Sequence, residues 1–65
     1  MKVFVNDKEV DVFKGAVIAD ILRAYSEEEY KNVFNGKKKI YDQYENIVEL
    51  DGVAAFGSKF FISEG

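Results

Sequence analysis

The run KVFVNDKEVDV, Lys2 to Val12, constrains the fold more than any other stretch of the chain. Val3, Val5, Val10 and Val12 alternate with Lys2, Phe4, Glu9 and Asp11 on either side of Asn6-Asp7-Lys8. Apolar side chains with a period of two form one buried face of a strand, and a short Asn/Asp turn folds two such strands into a hairpin. The turn centre is Asn6-Asp7 or Asp7-Lys8, and either choice keeps the valines on one face. That face needs a cover, which the next segment supplies.

In FKGAVIADILRAY the period lengthens: Ile18, Ile21, Leu22 and Tyr25 recur at i, i+3, i+4 and i+7, the stripe of an amphipathic helix over about 17–25. Gly15 turns the chain into it, while Ala16 and Val17 stand where a capping Ser, Thr or Asp is usual. A second, short helix is expected over about 27–35. Ser26 and Glu29 have capping-box spacing, Glu27 to Glu29 sit at the positive end of the helix dipole, and Asn35-Gly36 supplies a stop. Tyr30, Val33 and Phe34 form its expected inner edge. Lys37 to Lys39 follow the negative end, where cations are favoured by up to ~1 kcal/mol.

After Lys39 the pattern returns to short strands. KIYD and NIVEL flank a turn at Gln43-Tyr44-Glu45, and LDGVAAFGS is a glycine-punctuated crossover before the last strand, KFFIS. The strand count between residues 39 and 57 is open at this level. The expectation is an α+β chain with a mixed sheet of four to five strands, one main helix and one short one.

A chain of 65 residues buries only about 60% of the surface it exposes unfolded, so the core has little margin. With 48% hydrophobic and 32% charged residues it has the apolar mass for one core and the charge to coat it, as one domain over 1–65. There is no Cys and no His, which removes disulfides, thiol nucleophiles, thiolate metal sites and the commonest general base. A net charge of −3 opposes a phosphate backbone, so nucleic acid is not an expected partner. Asp7 and Glu9 interrupt the N-terminal segment, and no apolar run reaches membrane-spanning length, so the expectation is a cytoplasmic protein with no membrane partner.

Hairpin, crossing helix and returning strands are the order of the ubiquitin-like β-grasp. VFVNDKEVDV, GAVIADIL and LDGVAAFGSKFFI resemble the opening hairpin, helix start and closing strand of the small sulfur carriers of thiamin and molybdopterin synthesis, the ThiS/MoaD family. The resemblance covers both ends of the chain better than its middle. It implies a first and last strand lying parallel at the sheet centre, a helix on one face, and an adenylating or sulfur-transfer enzyme as partner. It also implies that Gly65 is a carrier terminus, activated and converted to a thiocarboxylate. Family members end in Gly-Gly, whereas here Glu64 precedes Gly65 and adds bulk and charge beside the reacting carboxylate.

Other groupings point less far. Asp42, Glu45, Glu49 and Asp51 are acidic but lack the ordered ligand spacing of a calcium loop. Asp11, Asp20 and Glu29 have no evident pocket to separate their pKa values for acid-base work, and Tyr25 and Tyr30 read as core-edge residues. No metal, cofactor or catalytic residue is expected. If the valines and Phe60 face the helix, Phe4 and Phe61 face away from it, with Phe13 at the edge of the same surface. These three residues are the expected protein-docking patch. The leading expectation is a non-catalytic ubiquitin-like interaction module, monomeric or weakly dimeric; the alternatives are a sulfur carrier using Gly65 and a self-associating structural subunit.

Overall fold

The computed structural model describes residues 1–64; Gly65 lies outside the described residues. Its elements are β1 (Lys2–Val5), β2 (Lys8–Asp11), α1 (Ile18–Tyr25), α2 (Glu27–Phe34), β3 (Lys38–Asp42) and β4 (Lys59–Glu64). They form an α+β structure with one mixed four-stranded sheet in the order β2-β1-β4-β3.

The hairpin register pairs Val5 with Lys8, which places Asn6 and Asp7 alone in the turn. Both have positive φ, 50° and 67°, as the two central residues of a type I′ turn must. Asn and Asp adopt this left-handed region at lower cost than other non-glycine residues. Asn6 then does more than turn the chain. Its N–H donates to the Phe60 carbonyl at 2.9 Å, and its Oδ1 accepts from the Ile62 N–H at 3.0 Å. With Phe4 N–H donating to the Ser58 carbonyl at 2.9 Å, these bonds fix β1 parallel to β4 at the centre of the sheet.

The valines of the hairpin face α1 as the alternation requires: Val3 and Val5 are fully buried, and Val10 and Val12 nearly so. Ile18, Ile21 and Leu22 of α1 meet them, and Ile40 and Phe60 complete the core from β3 and β4. Each such side chain contributes roughly 1.5–3 kcal/mol by leaving water. The start of α1 is held without a Ser or Thr. The N–H groups of Ile18 and Ala19 donate to the carbonyls of Gly52 and Leu50, both at 2.9 Å, and Asp20 Oδ2 accepts from the Val17 N–H at 3.2 Å. The crossover loop thus satisfies the free donors of the first turn.

Ser26 serves two helices. Its N–H donates to the Leu22 carbonyl at 2.7 Å, ending α1, while its Oγ accepts from the Glu29 N–H at 3.3 Å, starting α2. Because the Ser26 N–H is already taken, the Glu29 carboxylate turns elsewhere, and only half of the capping box forms. That carboxylate accepts from Asn32 Nδ2 at 2.8 Å and from Lys38 Nζ at 2.9 Å, joining α2 to β3. Lys38 is therefore ion-paired as well as placed past a helix end. Helix α2 stops in a Schellman arrangement, Lys37 N–H to the Asn32 carbonyl and Gly36 N–H to the Val33 carbonyl, with Gly36 at φ 79°.

Two expectations need correction. NIVEL does not form a strand: residues 46–48 meet β3 through an isolated bridge, Tyr41 to Ile47, two backbone–backbone hydrogen bonds and the contacts of Asn46 to the Asp42 carboxylate. The Asp42 carboxylate explains the difference. It accepts from the N–H groups of Tyr44 and Asn46, and Glu45 is left-handed at φ 66°, so the turn is tied tightly and the chain then leaves for α1. Phe34 is not on the inner edge of α2; it is 65% exposed, while Tyr30 and Val33 pack against the core. Among the described residues no helix is long and apolar enough to cross a membrane.

Two predictions follow from the packing and the clamp. Phe60→Ala should cost about 3–5 kcal/mol and leave the chain largely unfolded, as read by circular dichroism and denaturant titration. The bond from Asn32, then that from Lys38, holds the Glu29 carboxyl below its ordinary value of 4.5. A group whose native pKa is lowered contributes stability that is complete above its unfolded value and lost as pH falls through the native one. Between about pH 7 and about pH 3 the unfolding midpoint of Glu29→Gln should fall less than that of the parent chain. Equal falls would mean that the clamp does not contribute.

Candidate protein-docking face

Both helices pack on one side of the sheet, so the alternate side chains of every strand point to the other. The register places Lys2 and Phe4 of β1 opposite Asp11 and Glu9 of β2. On the far side of β1, Phe4 is opposite Lys59 of β4. Phe61 and Ser63 of β4 are opposite Tyr41 and Lys39 of β3. Phe4 and Tyr41 are half-buried and Phe61 is 36% exposed.

Phe4 and Phe61 therefore share a face, as the alternation predicted, but they are diagonal neighbours, two residues apart in register. The direct partner of Phe61 is Tyr41. Sequence reasoning passed over Tyr41 because KIYD carries too few residues to show which face each side chain takes. Aromatic residues at directly opposite antiparallel positions contribute ~0.2–1 kcal/mol to a sheet. Phe13 is 64% exposed, two residues beyond Asp11 on the β2 side, away from Tyr41 and Phe61.

The charges on this face fall into two groups. Lys2 Nζ lies 2.8 Å from Glu9 Oε2, and the hydrogen bond and charge of Glu9 raise the Lys2 ammonium above its ordinary 10.5. Lys39 and Lys59 are exposed and make no ion pair among the described residues. They flank the Tyr41 and Phe61 positions along β3 and β4.

The remaining acidic candidates have structural partners. Asp20 receives the Val17 N–H, and Glu29 is clamped by Asn32 and Lys38. The backbone N–H of Asn46, and after it that of Tyr44, holds the Asp42 carboxyl below its ordinary 3.8. Among the described residues no three acidic side chains gather as a metal-ligand set. Tyr30 is stacked under Arg23, whose guanidinium carbon is 4.4 Å from the ring centroid, and its hydroxyl accepts from Arg23 Nη2 at 3.2 Å. Gly65, the proposed carrier terminus, lies outside the described residues.

The most exposed apolar side chains are on loops: Phe56 at 79%, Tyr44 at 75% and Val53 at 73%. Val53 to Phe56 form a ridge between two concavities, one beside Met1 and Lys14 and one beside Asp42 and Tyr44. LDGVAAFGS has no period, so its sequence gives no means of assigning these side chains to a face. The ridge itself carries no charge and is built on a loop, whereas strands hold the aromatic and lysine side chains of the sheet face in register.

Comparison of the chain with protein-family models, curated proteins and solved structures finds no match.

Phe4→Ala and Phe61→Ala should each lower stability by ~1 kcal/mol or less, because each removes a cross-strand contact without opening the core. Denaturant midpoints test this directly. Losses as large as that of Phe60→Ala would mean that something covers this face.

Proposed function

We propose that this chain is a β-grasp domain related to the sulfur carriers and that it works as a non-catalytic protein-interaction module, docking through the sheet face opposite α1 and α2. The strand order β2-β1-β4-β3, with first and last strands parallel at the centre, supports the β-grasp assignment. The observation that carries the docking reading is the pairing of Phe61 with Tyr41, beside Phe4, on a face that neither helix covers. Aromatic side chains held rigidly and ringed by charge suit a protein interface, since they lose little conformational freedom on binding. A chain without His or Cys, whose shifted carboxyl groups are engaged in turns and clamps, supports a role without chemistry of its own.

The resemblance points to an adenylating or sulfur-transfer enzyme as partner. Ser63 and Glu64 bear on whether the domain is also a carrier. A carrier's tail must leave its own fold and thread into an enzyme, but Ser63 pairs with Lys39 and Glu64 with Lys38 in the ladder. Glu64 Oε1 also lies 4.0 Å from Lys38 Nζ. These contacts support docking over carriage.

Affinity capture from the protein's own cells, repeated with Phe61→Ala and Tyr41→Ala, is the test of docking. Both variants should keep the circular dichroism of the parent and lose the captured partner. Capture unchanged by either substitution would refute the reading. The carrier alternative is tested by incubating the domain with ATP and an adenylating enzyme of the sulfur-carrier class. The intact mass should be unchanged; an acyl-adenylate at Gly65 would make the domain a carrier.

A further inference from the structure

We infer that the occupant of the bare sheet face is an acidic segment of a partner protein, seated over β3 and β4 with its carboxylates on Lys39 and Lys59 and its apolar side chains on Tyr41 and Phe61. The inference rests on the docking reading above and adds the chemistry of the partner to it.

The distribution of charge carries it. The chain as a whole has a net charge of −3. Among the described residues its bare face carries three lysines, Lys2, Lys39 and Lys59, against two carboxylates, Glu9 and Asp11, a net of +1. The imbalance is local. On the β1 and β2 half Lys2 is ion-paired with Glu9 at 2.8 Å, so that half offers a partner no free cation. On the β3 and β4 half the outward residues are Lys39, Tyr41, Lys59, Phe61 and Ser63, with no carboxylate among them. An acidic protein has thus gathered around Tyr41 and Phe61 two cations that make no ion pair among the described residues. Away from this face the chain is net acidic, which disfavours an acidic partner there and so favours one orientation.

A second copy of the chain fits less well: seated symmetrically over β3 and β4, it would set the Lys39 and Lys59 cations of the two copies against each other, with no carboxylate among the described outward residues of that half to separate them. A flexible acidic segment brings the opposite charge and can follow the twisted sheet.

The test uses the whole chain and a phage-displayed library of random linear peptides. Clones retained by the immobilised protein are sequenced, and one enriched peptide is synthesised and mapped by NMR chemical-shift changes. Enriched peptides should be rich in Asp and Glu interspersed with apolar residues, and should shift Lys39, Tyr41, Lys59 and Phe61. The double variant Lys39→Glu/Lys59→Glu should weaken binding by about tenfold or more, and added salt should weaken the parent complex. Lys8→Glu/Lys31→Glu changes net charge equally at exposed positions, one in the helix-side phase of β2 opposite Val5 and one on α2, and should change affinity by no more than about twofold. Peptides that map to Tyr41 and Phe61 but show no acidic excess, and bind the double variant as well as the parent, would overturn the acidic partner and leave docking intact. No enrichment, or mapping to the helices or to the Val53 to Phe56 ridge, would overturn both. A dimer in sedimentation equilibrium that the double variant dissolves would assign the face to a second copy and likewise overturn the inference.

Discussion

The parallel pairing of β1 with β4 is the contact on which the remaining structure depends. It joins segments more than fifty residues apart in the chain, so its entropy of closure must be met before any of its bonds form. Burial of Phe60 in the core offsets much of that cost, and the polar contacts across the pairing gather at one residue. Asn6 turns the hairpin in a left-handed conformation, donates its N–H to Phe60 and accepts the Ile62 N–H on its side chain. Its Nδ2 also lies 3.4 Å from the Tyr25 hydroxyl at the end of α1. One short polar side chain thus ties a hairpin turn to the last strand and reaches toward the helix. With β4 fixed in this register, Phe60 must point into the core and Phe61 away from it.

The bare face follows from the same geometry. Two helices of eight residues each cover one side of a four-stranded sheet, and no further element is present among the described residues to cover the other. The alternation that buries Val3, Val5, Ile40 and Phe60 turns Phe4, Lys39, Tyr41 and Phe61 to the other side, Phe4 and Tyr41 half-buried and Lys39 and Phe61 exposed. A small domain of this kind can coat such a face wholly with charge, and here the outer residues of β2 do so. On β3 and β4 aromatic side chains stand among lysines instead. That departure from a solvated face is the physical basis for assigning it to a partner.

Much of this was legible in the sequence, and the parts that were not share a cause. The valine alternation and the Ile18, Ile21, Leu22 stripe are local periodicities, and they gave the hairpin, α1 and the buried face of each. The Ser26 cap and the Asn35-Gly36 stop were likewise readable from single residues. Register between distant strands was not, which is why Phe4 and Phe61 turned out diagonal and Tyr41 was passed over. The same holds for the clamp of Glu29 by Lys38, nine residues away, and for the loop carbonyls of Leu50 and Gly52 that hold the start of α1. NIVEL has the composition of a strand, but the turn tied by Asp42 limits its pairing to a single bridge. Phe34 was misplaced because a helix of only two turns has too few positions to define its apolar stripe.

Accessibility of individual aromatic rings to a soluble paramagnetic probe, measured by NMR with and without the captured partner, tests the docking face most directly. In the free protein Phe61 and Phe34 should both be broadened by the probe. With the partner bound, the account predicts that Phe61 and Tyr41 become protected while Phe34 on α2 stays accessible. Protection of Phe34 or Phe56 with Phe61 still open to the probe would contradict it.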